Sequence, residues 1–292
     1  MQTRHTTIMF TSLVLAAGLG WAQPQVAPFE FNPPIGMPAY PSGTGPRVAI
    51  DSGHGNLHTV DGGYRAFADL LRRDGYRVSG IEGPLTAEAL AQVDILVVVN
   101  ATTPRTAPPG SDPSVFTDGE IAVIDSWIQA GGALLLVADH EPWPAAVAKL
   151  ASKFRVEFAN AYAYEGAQGS ITYTRKTGSL RPHAVTEGVS AVATFLGSAF
   201  RVEGAHAPLL VLDQSAVARP ILSTQAQDGD KPIAGWLQGA LIEHGKGRVA
   251  VFGEAAALTA QNRGGRAMGM NAPGAEDNPR FVRNLVRWLG VR

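Results

Sequence analysis

Ala133-Leu134-Leu135-Leu136-Val137-Ala138-Asp139-His140-Glu141 is the stretch on which the reading of this chain turns. An unbroken apolar run of strand length is typical of a strand buried on both faces of a parallel sheet. The run stops abruptly on an acid, an imidazole and a second acid. Ile95–Val99 repeats the pattern and ends at Asn100. Val48–Ile50 leads into Asp51, Gly53, His54 and His58, and Val249–Phe252 ends at Gly253 and Glu254. Ligands of open α/β sheets bind in the crevice outside the carboxyl ends of the strands. Polar groups from four distant stretches are therefore expected on one rim.

The segments between these runs read as helices. Asp61 is expected to cap a helix whose core face is Tyr64, Phe67, Leu70 and Leu71, with Gly75 as its left-handed stop. Tyr76–Ile81 reads as a second strand, and Thr86 as the cap of a short helix through Leu90. Thr117-Asp118-Gly119-Glu120 is a capping box ahead of Ile121, Ile124, Trp127 and Ile128, and Gly131-Gly132 ends that helix. Pro104, Pro108, Pro109 and Gly110 break the loop after Asn100. A further helix runs roughly from Pro144 to Phe154.

Alternating strands and helices predict a flavodoxin-like, mostly parallel sheet with helices on both faces. Residues 156–220 fit this rhythm poorly and read as an irregular insertion of short strands and loops covering the rim. Gly239–Glu243 and Arg248–Phe252 flank a hairpin turn at His244-Gly245-Lys246-Gly247. A last helix is expected with Asn278 as its cap, Pro279 at its first position, and Phe281, Leu285, Trp288 and Leu289 on its buried stripe. One α/β domain over 47–292 follows a Pro/Gly-rich leader over 23–46.

Residues 1–22 have the form of a secretory signal. Arg4 supplies the positive end, Ile8 to Leu19 the apolar region, and Gly20 and Ala22 the small residues before a cut at Gln23. The apolar stretch is shorter than the roughly 20 residues that span a bilayer, so no stable membrane anchor is expected and the protein is read as exported, periplasmic or extracellular. The formal net charge is -1 with no basic run, which does not indicate a nucleic-acid partner. There is no cysteine, which excludes thiol nucleophiles and Cys-ligated metals.

Three chemistries are open at the rim. His54, His58 and His140, with carboxylates nearby, are ordinary ligands for a divalent metal such as zinc, which would activate water; against this, the two histidines after the first strand would cap a helix or bond loop carbonyls. Asp139, His140 and Glu254 form a candidate acid–base set, with one carboxyl pKa raised by burial or by its neighbour; against this, Asp139 would cap the helix that follows it. Ser52 lies near His54, but no Gly-x-Ser-x-Gly elbow, P-loop or dinucleotide fingerprint occurs. Asp51, Asn100 and Asn271 are candidate ligand-binding residues. Trp143, Tyr162, Tyr164 and Tyr173 read either as a sugar-stacking wall or as core.

The chain resembles a group of exported bacterial proteins of unassigned function whose domain is similar to the class I glutamine amidotransferase fold. Asp51-Ser52-Gly53-His54-Gly55-Asn56-Leu57-His58-Thr59, Leu135-Leu136-Val137-Ala138-Asp139-His140, and Gly245-Lys246-Gly247-Arg248-Val249-Ala250-Val251-Phe252-Gly253-Glu254-Ala255 carry the resemblance. So do Gly269-Met270-Asn271-Ala272-Pro273 and Asn284-Leu285-Val286-Arg287-Trp288-Leu289. The resemblance implies a flavodoxin-like sheet. In amidotransferases the strand equivalent to Ala133–Ala138 turns into a nucleophilic Cys; Asp139-His140-Glu141 stands there instead, which argues against glutaminase activity. Two functions follow as expectations: a hydrolase-like enzyme, metal-assisted or not, acting on a small polar or glycan-type substrate, and a non-catalytic ligand-binding or interaction module.

Overall fold

The computed structural model describes residues 31–103 and 111–291. The signal-like segment 1–22, the start of the leader and the proline-broken stretch 104–110 lie outside the described residues. The elements are β1 (Arg47–Asp51), α1 (Arg65–Arg73), β2 (Arg77–Ile81), α2 (Ala87–Leu90), β3 (Ile95–Val99), α3 (Asp118–Gln129), β4 (Ala133–Val137) and α4 (Trp143–Lys153). There follow β5 (Val156–Phe158), β6 (Tyr162–Glu165), β7 (Ser170–Thr174), β8 (Ala191–Phe195), β9 (Phe200–Val202), β10 (Ala207–Val211), β11 (Ala216–Arg219) and β12 (Lys231–Pro232). The chain closes with β13 (Leu237–His244), β14 (Gly247–Phe252), β15 (Ala260–Arg263), β16 (Arg266–Gly269) and α5 (Asn278–Gly290).

The central sheet runs β2-β1-β3-β4-β14-β13-β9-β5, with β10 also paired to β13. Its first five strands are mutually parallel. With β14 as the fifth parallel strand, this is the flavodoxin-like order, in which the chain reverses direction across the sheet between β1 and β3. The apolar runs explain the burial. Alternate residues of one strand point to opposite faces, and β3 and β4 are apolar at both sets of positions. Val97, Val99, Leu135 and Val137 pack on the face covered by α1 and α5, through Phe67, Leu71, Phe281 and Leu285. Leu96, Val98, Leu134 and Leu136 pack on the other face, against Leu90, Ile121, Ile124 and Leu150 of α2, α3 and α4.

Two caps differ from expectation. α1 starts at Arg65 behind Tyr64, with no side-chain cap, and Asp61 is exposed two turns of loop earlier. Tyr64 is fully buried and its hydroxyl donates to the Ala255 carbonyl at 3.1 Å, so the helix entry is fixed by packing and by a long-range bond. At α5 the residue before the helix is Asp277, whose carboxylate accepts the Ser190 N–H at 2.7 Å. Asn278 turns inward, accepting the Ala193 N–H at 3.0 Å and donating to the carbonyls of Ala193 and Ala257 at 2.9 and 3.1 Å. The Thr117–Glu120 capping box and the Thr86 cap are present as expected.

The segment 156–220 is more regular than its sequence suggests. β5 and β9 extend the main sheet, β6, β11 and β12 form a second sheet, and β7 and β8 pair as a third. Tyr164 and Tyr173 are core residues of this layer. The leader from Phe31 onward lies on the α1–α5 face, where Arg283 donates to the Met37 carbonyl at 2.8 Å and Arg73 to that of Pro33 at 2.9 Å. Among the described residues no helix is long and apolar enough to cross a membrane.

Candidate functional site

The four strand ends do converge along one edge, and they sort into two groups of side chains. The first lies at the β1/β3 reversal. Asp51 ends β1 and is fully buried. The turn after it brings His54 back over the strand end, where Nδ1 lies 2.9 and 3.0 Å from the two Asp51 carboxylate oxygens. The Nε2 of the same ring lies 3.0 Å from Glu120 Oε1 at the start of α3. With a carboxylate at each nitrogen, the ring donates from both, which only the imidazolium does. Burial works against that charge, but the hydrogen bonds and charges of Asp51 and then Glu120 outweigh it and hold the His54 pKa above its ordinary value. Phe116 packs on the ring at 4.5 Å between centroids.

Glu120 is the residue of this group that the sequence did not single out for a site, because its spacing from Thr117 already explained it. It does both jobs. Oε2 accepts the Thr117 N–H at 2.9 Å and closes the capping box, while Oε1 accepts the Leu85 N–H at 3.1 Å beside His54. Burial opposes its charge, yet the bonds from Thr117, His54 and Leu85 pull its pKa down to about 2. His54 lines an open cavity of about 610 Å³ with Gly53, Gly55, Thr102, Thr103, Ser114 and Val115. Two glycines are required here. Gly55 has φ +61°, and a Cβ on it would stand 2.4 Å from the Thr102 carbonyl oxygen; one on Gly53 would stand 2.6 Å from that of Gly83.

The second group lies under the ends of β3, β4 and β14. Ala138 donates to the Phe252 carbonyl at 3.0 Å, so Asp139 and Glu254 leave their strands at matching positions. Both are buried, Asp139 to 8% and Glu254 to 2% exposure. Asn100, in the left-handed region at φ 46°, accepts the Asp139 N–H on its side-chain oxygen at 2.9 Å. Glu254 folds back on its own chain and accepts the N–H groups of Ala256 and Ala257 at 2.9 and 2.7 Å. Burial first, and the neighbouring Asp139 second, push the Glu254 pKa up to about 8. Burial raises that of Asp139 as well. Tyr64 borders the pair, and burial together with their charge raises its pKa. His58 packs on Tyr64 at 5.2 Å with its Nδ1 lacking a hydrogen-bond partner, and burial lowers its pKa to about 4.

The remaining candidates are dispersed. His140 is turned outward, its ring stacked on Tyr162 at 4.3 Å and its Nδ1 2.8 Å from the Glu141 carbonyl, with Trp143 alongside. Asp139 is therefore not the cap of α4, which begins behind Pro142; its Oδ1 accepts the His140 N–H instead. Asn271 sits apart, holding the β15–β16 hairpin by bonds to both the N–H and carbonyl of Gln261 at 3.2 and 3.0 Å. His54, His58 and His140 occupy three separate environments: an ion-pair clamp, a buried pocket and an aromatic stack. Among the described residues no group of three His, Asp or Glu side chains is arranged to hold a metal ion. His183 caps the turn at Ala184–Thr186 and His244 pairs with Asp125 at 2.6 Å, both structural contacts.

Compared with solved structures, the chain is similar to the mmIFT52 N-terminal domain, with a TM-score of 0.60 at 14% identity over 84% of this chain and 98% of that one. It is also similar to the cytoplasmic protein STM1381 from Salmonella typhimurium LT2, with a TM-score of 0.51 at 16% identity over 84% and 99%. A putative ThuA-like protein from Bacteroides uniformis gives 0.49 at 11% identity over 87% and 95%. No protein-family model and no curated protein matches. The likenesses are of fold alone: an α/β protein built on a mostly parallel central sheet.

Proposed function

We propose that this chain is an exported module that binds a small polar ligand in the crevice between the loops after β1 and β3. One observation carries the reading. At the strand-order reversal, where open α/β sheets take their ligands, His54 is locked between Asp51 and Glu120 and faces a cavity of about 610 Å³. The clamp ties the β1 loop to α3 and to the segment before α2, so the wall is rigid before any ligand arrives, which lowers the ordering cost of binding. The same clamp occupies both ring nitrogens, so His54 has no lone pair for a metal or for a proton from a substrate. Binding suits this wall better than catalysis does. The leader of secretion type supports an extracytoplasmic setting.

Thr103→Trp, which fills the crevice, is the test. In ligand-observed NMR against a library of small polar compounds, hits on the wild type are expected to vanish in this variant. Hits that persist unchanged would place binding elsewhere and overturn the proposal.

A second reading is favoured by the Asp139–Glu254 pair. A carboxyl with a pKa near 8 beside a second carboxyl is the arrangement by which one acid stays protonated at neutral pH. In that reading Glu254 donates, Asp139 accepts, and His140 with Tyr162 holds the substrate at the rim of a hydrolase. Turnover of chromogenic glycosides or esters, lost in Glu254→Gln and retained in Thr103→Trp, would favour it over the binding module.

A further inference from the structure

The class of ligand follows from what has become of the anion seat, an argument that rests on the crevice reading above. In this kind of fold the turn after the first strand and the first turns of the helices at the same edge bind phosphates and carboxylates through backbone N–H groups and the helix dipole. Here the protein's own carboxylates occupy those groups. Asp51 accepts the Gly53 N–H at 3.1 Å. Glu120 accepts the N–H groups of Thr117 and Leu85, and Thr117 Oγ1 in turn accepts that of Glu120 at 3.2 Å. His54 supplies one positive charge against two negative ones, which leaves a net single negative charge behind the wall.

No Lys or Arg lines the cavity among the described residues. An incoming phosphate would find the N–H groups of Gly53, Thr117, Leu85 and Glu120 already taken and, among the described residues, no compensating cation on the lining. A cation would fare no better as a ligand, because the carboxylate oxygens of Asp51 and Glu120 are already engaged with His54, Leu85, Gly53 and Thr117. What the wall still offers are hydroxyls. Ser114 donates to the Phe116 carbonyl at 2.9 Å and keeps its acceptor positions, and Thr102 and Thr103 line the same cavity.

We infer that the crevice takes an uncharged, hydroxyl-bearing ligand of the polyol or sugar class and rejects its phosphorylated counterpart, because Glu120 and Asp51 fill the place an anion would occupy. The test is saturation-transfer NMR and calorimetry on the full chain with glycerol, glucose and inositol against glycerol phosphate and inorganic phosphate. At least one neutral probe is expected to bind saturably, and the phosphorylated probes to bind at least about tenfold more weakly. Glu120→Gln is expected to narrow that gap, and Thr103→Trp to abolish binding of the neutral probe. Phosphorylated probes that bind as tightly as neutral ones and are lost in Thr103→Trp would overturn the ligand class while leaving the crevice in place. No saturable binding by any probe, or binding indifferent to Thr103→Trp, would overturn both.

Discussion

His54 and Glu120 meet at 3.0 Å across 66 residues of chain, and the contact joins the first strand's loop to the helix that follows the third. Because His54 also holds Asp51, its removal leaves one fully buried carboxylate and one partly buried carboxylate facing each other without a cation. His54→Ala is therefore expected to lower unfolding stability by about 1.5–3 kcal/mol, the range for hydrogen bonds to charged groups. Glu120→Ala is expected to cost stability through the capping box as well as the clamp. Urea unfolding of both single variants and the double variant checks this: the two losses should add to more than the double variant shows, since both remove the same contact. Simple additivity would mean that the clamp contributes nothing of its own.

His58 is a histidine kept neutral. Its pKa of about 4 lies below the ordinary value of 6.5, because protonation would bury a charge. The unfolded chain therefore takes up a proton that the folded chain refuses, and stability falls as pH drops from about 6.5 through about 4. His58→Phe keeps an aromatic ring against Tyr64 and has nothing to titrate. The wild type should lose stability over that window relative to the variant, by denaturation at stepped pH. Parallel curves would show that His58 is not buried as described.

Gly63 is the reason that His58 fits. A Cβ at Gly63 would stand 2.1 Å from His58 Nδ1, inside contact distance of a ring that is packed on its other side by Tyr64. Gly63→Ala is expected to cost about 1–3 kcal/mol as overpacking, and the cost should shrink when combined with His58→Ala, which opens the space. Equal losses in both backgrounds would place the strain elsewhere.

The Asp139–Glu254 pair works in the opposite direction on the pH axis. Glu254 has a pKa raised to about 8 from 4.5, so between those values the folded chain holds a proton that the unfolded chain has released. Its contribution to stability is complete below about 4.5 and is lost as pH rises through about 8. Asp139→Asn removes the neighbouring charge and retains an oxygen for the His140 N–H, so the alkaline decline should become shallower. Melting temperatures across this window, for the wild type and Asp139→Asn, test it; an unchanged decline would assign the alkaline loss to other groups.

The sheet was readable because β3 and β4 are apolar at every position and β1 and β14 carry unbroken apolar runs, Val48–Ile50 and Val249–Phe252, the pattern of strands buried on both faces. The rim followed from it, since each run stops on polar residues at the same end. What sequence could not supply was partnership. Glu120 carries a complete local explanation as a capping residue, so nothing in its neighbourhood points 66 residues back to His54. Tyr64 looks like one more apolar helix position, and only tertiary packing sends its hydroxyl to Ala255. Asn271 failed in the other direction: an amide near the last strand reads as a rim residue, but the β15–β16 hairpin claims both ends of it. The short strands of 156–220 were expected, but not their pairing into sheets, because they mix small and polar residues and take their stability from distant partners.

Asp74 and Arg283 make the last test, because they show how the leader is held. Asp74 is fully buried at the end of α1, where Oδ1 accepts the Ala39 N–H at 2.9 Å and a hydrogen bond from Arg283 at 2.7 Å. Arg283, from α5, donates in turn to the carbonyls of Ile35 and Met37. One ion pair thus fastens an extended segment that has few backbone bonds of its own to two helices. Asp74→Ala leaves the guanidinium half-sheltered without its counterion and frees the Ala39 N–H, a loss of about 3 kcal/mol by analogy with broken buried pairs. The loss should be local before it is global, since segments with few buried contacts open first. Limited proteolysis is therefore expected to cut the Asp74→Ala variant within residues 31–45 under conditions where the wild type is spared, leaving the α/β core intact. Cleavage confined to the core, with the leader still protected, would mean that packing of Phe31, Ile35 and Tyr40 on the helices holds the segment and that the ion pair does not.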